Sequence, residues 1–227
     1  MENCLDQIIF KKRVSVIVTA FNEEKLISRC IRSLLNQTLS KDLFEIIIVN
    51  DGSNDNTSYV INLFKDPKKS LIKIIENETN LGLPASLNKA INHSTAPFII
   101  RVDGDDFVNQ NFLYFLKYYL ETNLEAGAVA CDYLLVDKSE KVIKRVNCFE
   151  EPIGCGILFK KENLFDIGLY DEKFLCNEEK EMRIRFEKKY KIERLAIPLY
   201  RYRRHEKNLI NNKKIIQKYD LELKKKY

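Results

Sequence analysis

The chain has 227 residues, 45% of them hydrophobic, which suffices for one domain with a real core, or one domain with a small extension. Its formal charge of +5 is uneven: from Arg201 onward ten Lys or Arg stand against three Asp or Glu, so residues 1–200 carry −2 and no nucleic-acid-binding face is expected. The six cysteines form no Cys-x-x-Cys pair, which speaks against zinc, and no run approaches the ~20 apolar residues of a membrane span. The start, Met1-Glu2-Asn3, lacks a basic stretch followed by a long apolar one, so a cytoplasmic protein with reduced thiols is expected.

Residues 14–19 are a β-branched run and read as a buried strand. Asn22-Glu23-Glu24 can open a helix, and Leu26, Ile27, Cys30, Ile31, Leu34 and Leu35 then recur at helical spacing. Residues 44–49 form a second strand that ends at Asn50-Asp51-Gly52-Ser53. A helix over 56–64 is stopped by Asp66-Pro67. A third strand covers 71–76, a loop 80–84, a helix 85–92, a fourth strand 98–102 and a helix 112–120. This alternation predicts an open, mostly parallel, doubly wound sheet. Beyond Gly127 the pattern changes: 128–136 and 141–146 read as a hairpin or mixed-sheet extension, 154–159 as a strand, 178–190 as a charged helix and 195–202 as a last strand. All of this is expected to complete one domain.

In a doubly wound sheet, ligands sit outside the carboxyl ends of the strands. Three polar clusters fall there: residues 19–23, 50–54 and 103–106. The third, Asp103-Gly104-Asp105-Asp106, places three carboxylates after the apolar strand. Asp-Gly is also strong turn chemistry, but buried charge must be paired or hold a metal, and an all-oxygen set suits Mg²⁺ or Mn²⁺. Neither a dinucleotide fingerprint nor a P-loop is present. Asp51 can accept the imide N–H of a uracil, the backbone of residues 19–21 can meet the base or ribose, Asp103 can bond ribose hydroxyls, and Asp105 can ligate a metal on a diphosphate.

Val14-Ser15-Val16-Ile17-Val18-Thr19-Ala20-Phe21-Asn22-Glu23, Ile48-Val49-Asn50-Asp51-Gly52-Ser53-Asn54-Asp55, Asn80-x-Gly82 and Asp103-Gly104-Asp105-Asp106, in this order and spacing, resemble the family 2 glycosyltransferases. The resemblance covers roughly residues 13–120. Asn50 stands where that family usually has Asp, and Phe21 where Tyr is commoner. The resemblance implies a single GT-A-type α/β domain, with a Rossmann-like, mixed, mostly parallel sheet flanked by helices. It also implies inverting transfer from a nucleotide-diphosphate sugar, with UDP expected, to a hydroxyl of a saccharide or lipid-linked saccharide in surface polysaccharide, lipopolysaccharide or glycoconjugate synthesis.

By the same resemblance, the donor nucleotide is bound by Thr19, Ala20, Phe21, Asn22, Glu23, Asp51, Asn80, Gly82, Asn88, Asp103 and Gly104. Mn²⁺ or Mg²⁺ is held by Asp105 and Asp103 with His205, and Asp106 supports them. Arg203 and Arg204 reach the diphosphate. In Glu178-Glu179-Lys180-Glu181-Met182-Arg183-Ile184-Arg185, which is similar to the family's acidic helix start, Glu179 is the expected base and Glu178 the second choice. Acidic residues also suit a helix N-terminus on dipole grounds. The usual Arg before Asn88 is Leu87 here.

The domain is expected over residues 1–210, with a basic helical extension over 211–227. That extension reads either as a solvated helix or as a peripheral contact with anionic lipid at the inner membrane face. Two other functions compete. A sugar-nucleotide nucleotidyltransferase would need a Gly-rich basic loop where residues 19–23 stand, and a non-catalytic nucleotide-sugar binding module would not need the acidic set.

Overall fold

The computed structural model describes residues 12–65, 71–204 and 213–227. Strands are β1 (Val14–Ala20), β2 (Phe44–Asn50), β3 (Ile72–Glu76), β4 (Phe98–Asp103), β5 (Phe107–Val108), β6 (Ala126–Val136), β7 (Val142–Val146), β8 (Ile157–Lys160) and β9 (Lys191–Arg203). Helices are α1 (Ile27–Leu35), α2 (Thr57–Asn62), α3 (Leu83–His93), α4 (Phe112–Thr122), α5 (Lys161–Asp166), α6 (Glu178–Glu187) and α7 (Lys213–Lys226). One sheet runs in the order β3-β2-β1-β4-β8-β6-β9-β5, with β7 paired to β6.

The first half follows the sequence pattern closely. β1 and β2 are apolar on both faces because helices cover both faces. Val14, Val16 and Val18 point to one side, where Ile27, Cys30, Ile31 and Leu34 of α1 and Phe112 and Leu116 of α4 meet them. Ile17, Ile47, Val49 and Ile99 point to the other, against Leu87, Ala90 and Ile91 of α3. The helix spacing read in α1 is therefore the spacing of its buried stripe. The stop expected at Asp66-Pro67 lies outside the described residues.

β3, β2, β1 and β4 are mutually parallel. Beyond β4 the sheet becomes mixed. β8 enters antiparallel between β4 and β6, while β6 and β9 are parallel to each other. β6 and β7 form the expected hairpin. β9 starts at Lys191, earlier than its apolar run suggests, and bulges where Pro198 meets Asp132. The two-residue β5 and the six-residue α5 are too short to leave a periodic signal.

The strand expected at Gly154 begins only at Ile157. In the preceding loop Gly156 alone bonds both neighbours, its N to Arg101 O and its O to Cys131 N, each at 3.2 Å, and Gly154 passes close by, where a Cβ would lie 2.9 Å from Arg101 Nη1 and 2.9 Å from Glu179 Cβ. No described helix is long and apolar enough to cross a membrane. The five cysteines among the described residues are buried free thiols.

Candidate active site

Register brings the three polar strand ends together. In β1, Ala20 lies beside Asn50 of β2, and Thr19 lies beside both Val49 of β2 and Asp103 of β4. The turns beyond them are tied to each other. Asp51 N donates to Ala20 O at 2.9 Å, Asn22 N to Ser53 Oγ at 3.0 Å, and Asn54 N to Asn22 Oδ1 at 2.8 Å. Asn22 adopts φ 57°, a left-handed turn that asparagine tolerates, and Glu23 N reaches Thr57 Oγ1 at 2.8 Å. Phe21 stands 43% exposed at the mouth of this crevice.

Asp51 is buried and organises the crevice floor. Its Oδ1 accepts from Asn77 Nδ2 at 2.8 Å and Leu81 N at 2.9 Å, and its Oδ2 accepts from Gly82 N at 3.0 Å. A carboxylate has about four acceptor positions, so one on Oδ2 is left for a ligand N–H. Asn80 Oδ1 also accepts from Gly82 N at 3.1 Å. Gly52 must be glycine: it has φ +67°, and a Cβ there would lie 2.4 Å from the Thr79 carbonyl carbon. Asn50, the departure from the family pattern, donates through Nδ2 to Glu76 Oε2 at 2.6 Å. An Asp at 50 would set two carboxylates against each other.

Asn88 is committed elsewhere. Its amide donates to Tyr170 O and Glu172 Oε1, both at 2.9 Å, and accepts from Tyr170 N at 3.0 Å, which locks α3 to the 170–172 segment. Lys89 donates to Asn77 Oδ1 at 2.6 Å.

The three carboxylates after β4 differ sharply in setting. Asp106 is 1% exposed; its Oδ2 accepts the Tyr200 hydroxyl proton at 2.7 Å and its Oδ1 accepts from Arg203 N at 2.7 Å. The same Tyr200 oxygen accepts from Asp103 N at 3.1 Å, so one fully buried phenol pins both ends of the acidic turn. Burial, with Asp105 and Asp103 nearby, pushes the Asp106 carboxyl well above its usual range. Asp103 is partly exposed and is gripped by Arg101, with Nε to Oδ1 at 2.6 Å and Nη2 to Oδ2 at 3.1 Å. Gly104 lets the turn pass close to β1: a Cβ there would lie 3.0 Å from Thr19 O.

Arg203 does not face the crevice. It is 3% exposed, donates through Nε to Asp105 O at 2.9 Å and Nη2 to Glu140 Oε1 at 3.0 Å, and lies over the Phe107 ring. It buttresses the acidic turn from behind, which corrects its expected reach to a diphosphate. Arg204 is exposed, with its backbone N donating to Val136 O at 2.9 Å. His205 lies outside the described residues.

Glu178 and Glu179 open α6, where acidic side chains complement the helix dipole. They are not equivalent. Glu178 is 4% exposed and accepts from Arg101 Nη1 at 2.9 Å. Arg101 therefore joins the acidic turn to the helix start, with a carboxylate at each end of its guanidinium fork. Burial pushes the Glu178 carboxyl up to about 7, with Arg101 pulling it down and Glu179 pushing it further up. Glu179 is only half-buried and, with Pro152, Ile153, Phe159, Met182 and Arg183, lines a small, mostly apolar cavity of about 50 Å³.

A hard divalent cation needs ionised oxygens. Asp103, Asp106 and Cys155 bring one ligand atom each within 4.8 Å of one another. Yet burial pushes both the Cys155 thiol and the Asp106 carboxyl well up, away from their ionised forms. That inward trio is ill suited to Mg²⁺ or Mn²⁺. The donor chemistry that fits is the pair of carboxylates on the open side of the turn, Asp103 and Asp105.

Arg101 and Tyr200 were not singled out from the sequence. Arg101 had a signal, since a cation inside an apolar strand must have a buried partner. Tyr200 had none, because its partners lie nearly a hundred residues away.

Residues 15–193 match the family model described as glycosyl transferase family 2. A poly(ribitol-phosphate) beta-glucosyltransferase of Bacillus spizizenii is 36% identical over 108 residues, covering 47% of this chain and 17% of that protein. The chain spans less than half the length of the curated relatives it matches. Among solved structures, S. aureus TarS 1–349 in complex with UDP-GlcNAc superposes with a TM-score of 0.75 at 21% identity, over 88% of this chain and 61% of that one. The mannosyltransferase PcManGT from Pyrobaculum calidifontis, solved with GDP-Man and Mn²⁺, gives 0.71 at 18% identity, over 88% and 59%. Those likenesses carry the fold, which is the GT-A type expected from the motifs. With strand ends, acidic turn and acidic helix start all inside the matched segment, the chain belongs to glycosyl transferase family 2.

Proposed function

We propose that this chain transfers a sugar, with inversion, from a nucleotide-diphosphate sugar to a hydroxyl of a saccharide or lipid-linked saccharide, in surface polysaccharide or related glycoconjugate synthesis. The observation that carries the proposal is that Arg101 ties Glu178, at the start of the helix that carries the candidate base, to Asp103 of the acidic turn. The UDP-GlcNAc and GDP-Man of the two structural neighbours support a nucleotide-sugar donor, and UDP is our choice of base for this chain.

The nucleotide lies along Thr19–Glu23, with Asp51 receiving the imide N–H of uracil at its remaining acceptor position and Asp103 toward the ribose. Asp105 and Asp103 hold Mn²⁺ or Mg²⁺, which when bound neutralises the diphosphate leaving group. Glu179 takes the proton of the acceptor hydroxyl as its oxygen attacks the anomeric carbon, and the bond to the diphosphate breaks on the opposite face. Glu179 is preferred over Glu178 because Glu178 is buried against Arg101, whereas Glu179 is only half-buried. The transfer unit occupies residues 1–210, and the protein acts in the cytoplasm, where any membrane contact is peripheral.

The test is metal-dependent release of UDP from a panel of UDP-sugars, with and without saccharide acceptors. Asp105→Ala and Glu179→Gln are each expected to lower kcat by about 10²–10⁴-fold, with UDP binding retained in Glu179→Gln. Full turnover in both variants would sink the mechanism.

A further inference from the structure

The basic C-terminal helix does not stand away from the domain. Tyr219 of α7 is 7% exposed and packs with Phe174 and Cys176 of the segment that leads into α6. Their cluster is separate from the two large cores, and its other apolar members, Ile216 and Leu223, also come from α7. Among the described residues, then, that segment's buried apolar side chains at 174 and 176 are covered by this helix.

Polar contacts flank the cluster on both sides. Asp220 Oδ1 accepts from Asn177 Nδ2 at 2.8 Å and Lys180 Nζ at 3.2 Å. Lys226 Nζ reaches Asp171 Oδ2 and Glu181 Oε1, both at 2.7 Å. Asn177 is the residue before α6; it holds φ 61° and makes no side-chain cap to its own helix. Its amide is spent on α7 instead. The contacts at Asn177, Lys180 and Glu181 bracket Glu178 and Glu179 in the chain. Upstream, Asn88 fixes residues 170 and 172 to α3, so residues 173–177 hang between α3 and α7.

We propose that α7 is a positioning element for the acidic pair, acting through Asp220 on Asn177 and through Tyr219 on Phe174, and that it sets where Glu179 stands relative to the acidic turn. The proposal rests on the reading of Glu179 as the base. Misplacing a base by an ångström costs on the order of 10²-fold in rate without touching the nucleotide crevice. Tyr219 and Asp220 of the helix meet the domain, while Lys214, Lys218, Lys224 and Lys225 remain exposed.

The experiment uses the full chain with Asp220→Ala, Asp220→Asn and Tyr219→Ala. Amide hydrogen exchange is followed over residues 171–181 and in β1 and β4, and release of UDP from UDP-GlcNAc with Mn²⁺ is measured. Asp220→Asn keeps the acceptor oxygen for Asn177 and is the conservative control.

Asp220→Ala and Tyr219→Ala are expected to raise exchange in 171–181 by roughly 10-fold or more with β1 and β4 unchanged. The same two variants are expected to lower kcat by roughly 10-fold or more at a donor KM within about 2-fold of wild type, and Asp220→Asn to recover most of both. Wild-type exchange and kcat in Asp220→Ala, or exchange that rises equally throughout the sheet, would overturn the proposal. A fully active Glu179→Gln would instead overturn the base assignment. Were wild type to leave UDP-GlcNAc intact, the exchange pattern alone would decide whether α7 orders the acidic segment.

Discussion

Tyr200→Phe removes one oxygen and leaves the packing of the ring, which lies 6.0 Å from Phe112, in place. That oxygen makes two bonds inside a fully buried site, donating to Asp106 Oδ2 at 2.7 Å and accepting from Asp103 N at 3.1 Å. The bond to the carboxylate is worth about 1.5–3 kcal/mol, and the orphaned Asp103 N–H costs about 1–3 kcal/mol more. With no cavity to add, the variant should lose about 2.5–6 kcal/mol. In a domain of this size each kcal/mol moves Tm by about 2–4 °C, so a fall of about 10 °C is expected. Urea unfolding followed by circular dichroism measures the free energy, and the slope should stay at its wild-type value because no surface is exposed. A loss below about 1 kcal/mol would refute the reasoning, since even one buried unpaired donor costs that much.

Asn50→Asp tests the departure from the family pattern. It replaces the 2.6 Å amide bond to Glu76 with a carboxylate pair, so Tm should fall more at pH 8 than at pH 5, where one carboxyl can take up a proton. Equal losses at both pH values would show that Glu76 does not face residue 50. Glu178 provides the second pH signature. Its carboxyl is pushed from 4.5 up to about 7 by burial, so folding takes up a proton between those values and stability falls as pH rises through them. Glu178→Gln cannot titrate, and its stability should be flatter over the same interval in pH-dependent urea unfolding; parallel curves for the two proteins would contradict the assignment.

Much of this site was legible because its parts are local. The turns after β1, β2 and β4 are each short sequences with their own chemistry, and an alternating strand–helix pattern is enough to put three such turns at one edge. Glu178-Glu179 was legible for the same reason, as an acidic start to a helix. What escaped were side chains whose use depends on a distant partner. Arg203 and Arg204 are neighbours of the same type, yet one is buried behind Asp105 and the other is exposed. Asn88 looked like a ligand residue, and all three of its bonds go to residues 170 and 172. The basic tail reads from composition as a solvated helix or a lipid contact, and composition gives no sign that its apolar residues cover Phe174 and Cys176.

By itself the sequence determined the parallel half of the sheet and the location of the crevice, because these follow from periodicity and from polar residues placed immediately after strands; the family came from the resemblance its motifs carry. Only the tertiary structure decided how the acidic residues divide. Asp106 is turned inward onto Tyr200, Asp103 is shared with Arg101, Glu178 is buried against the same arginine, and Glu179 is left at the cavity. A carboxylate's role depends on its burial and on the donors that surround it, and those donors come from strands and helices that only folding brings to its side.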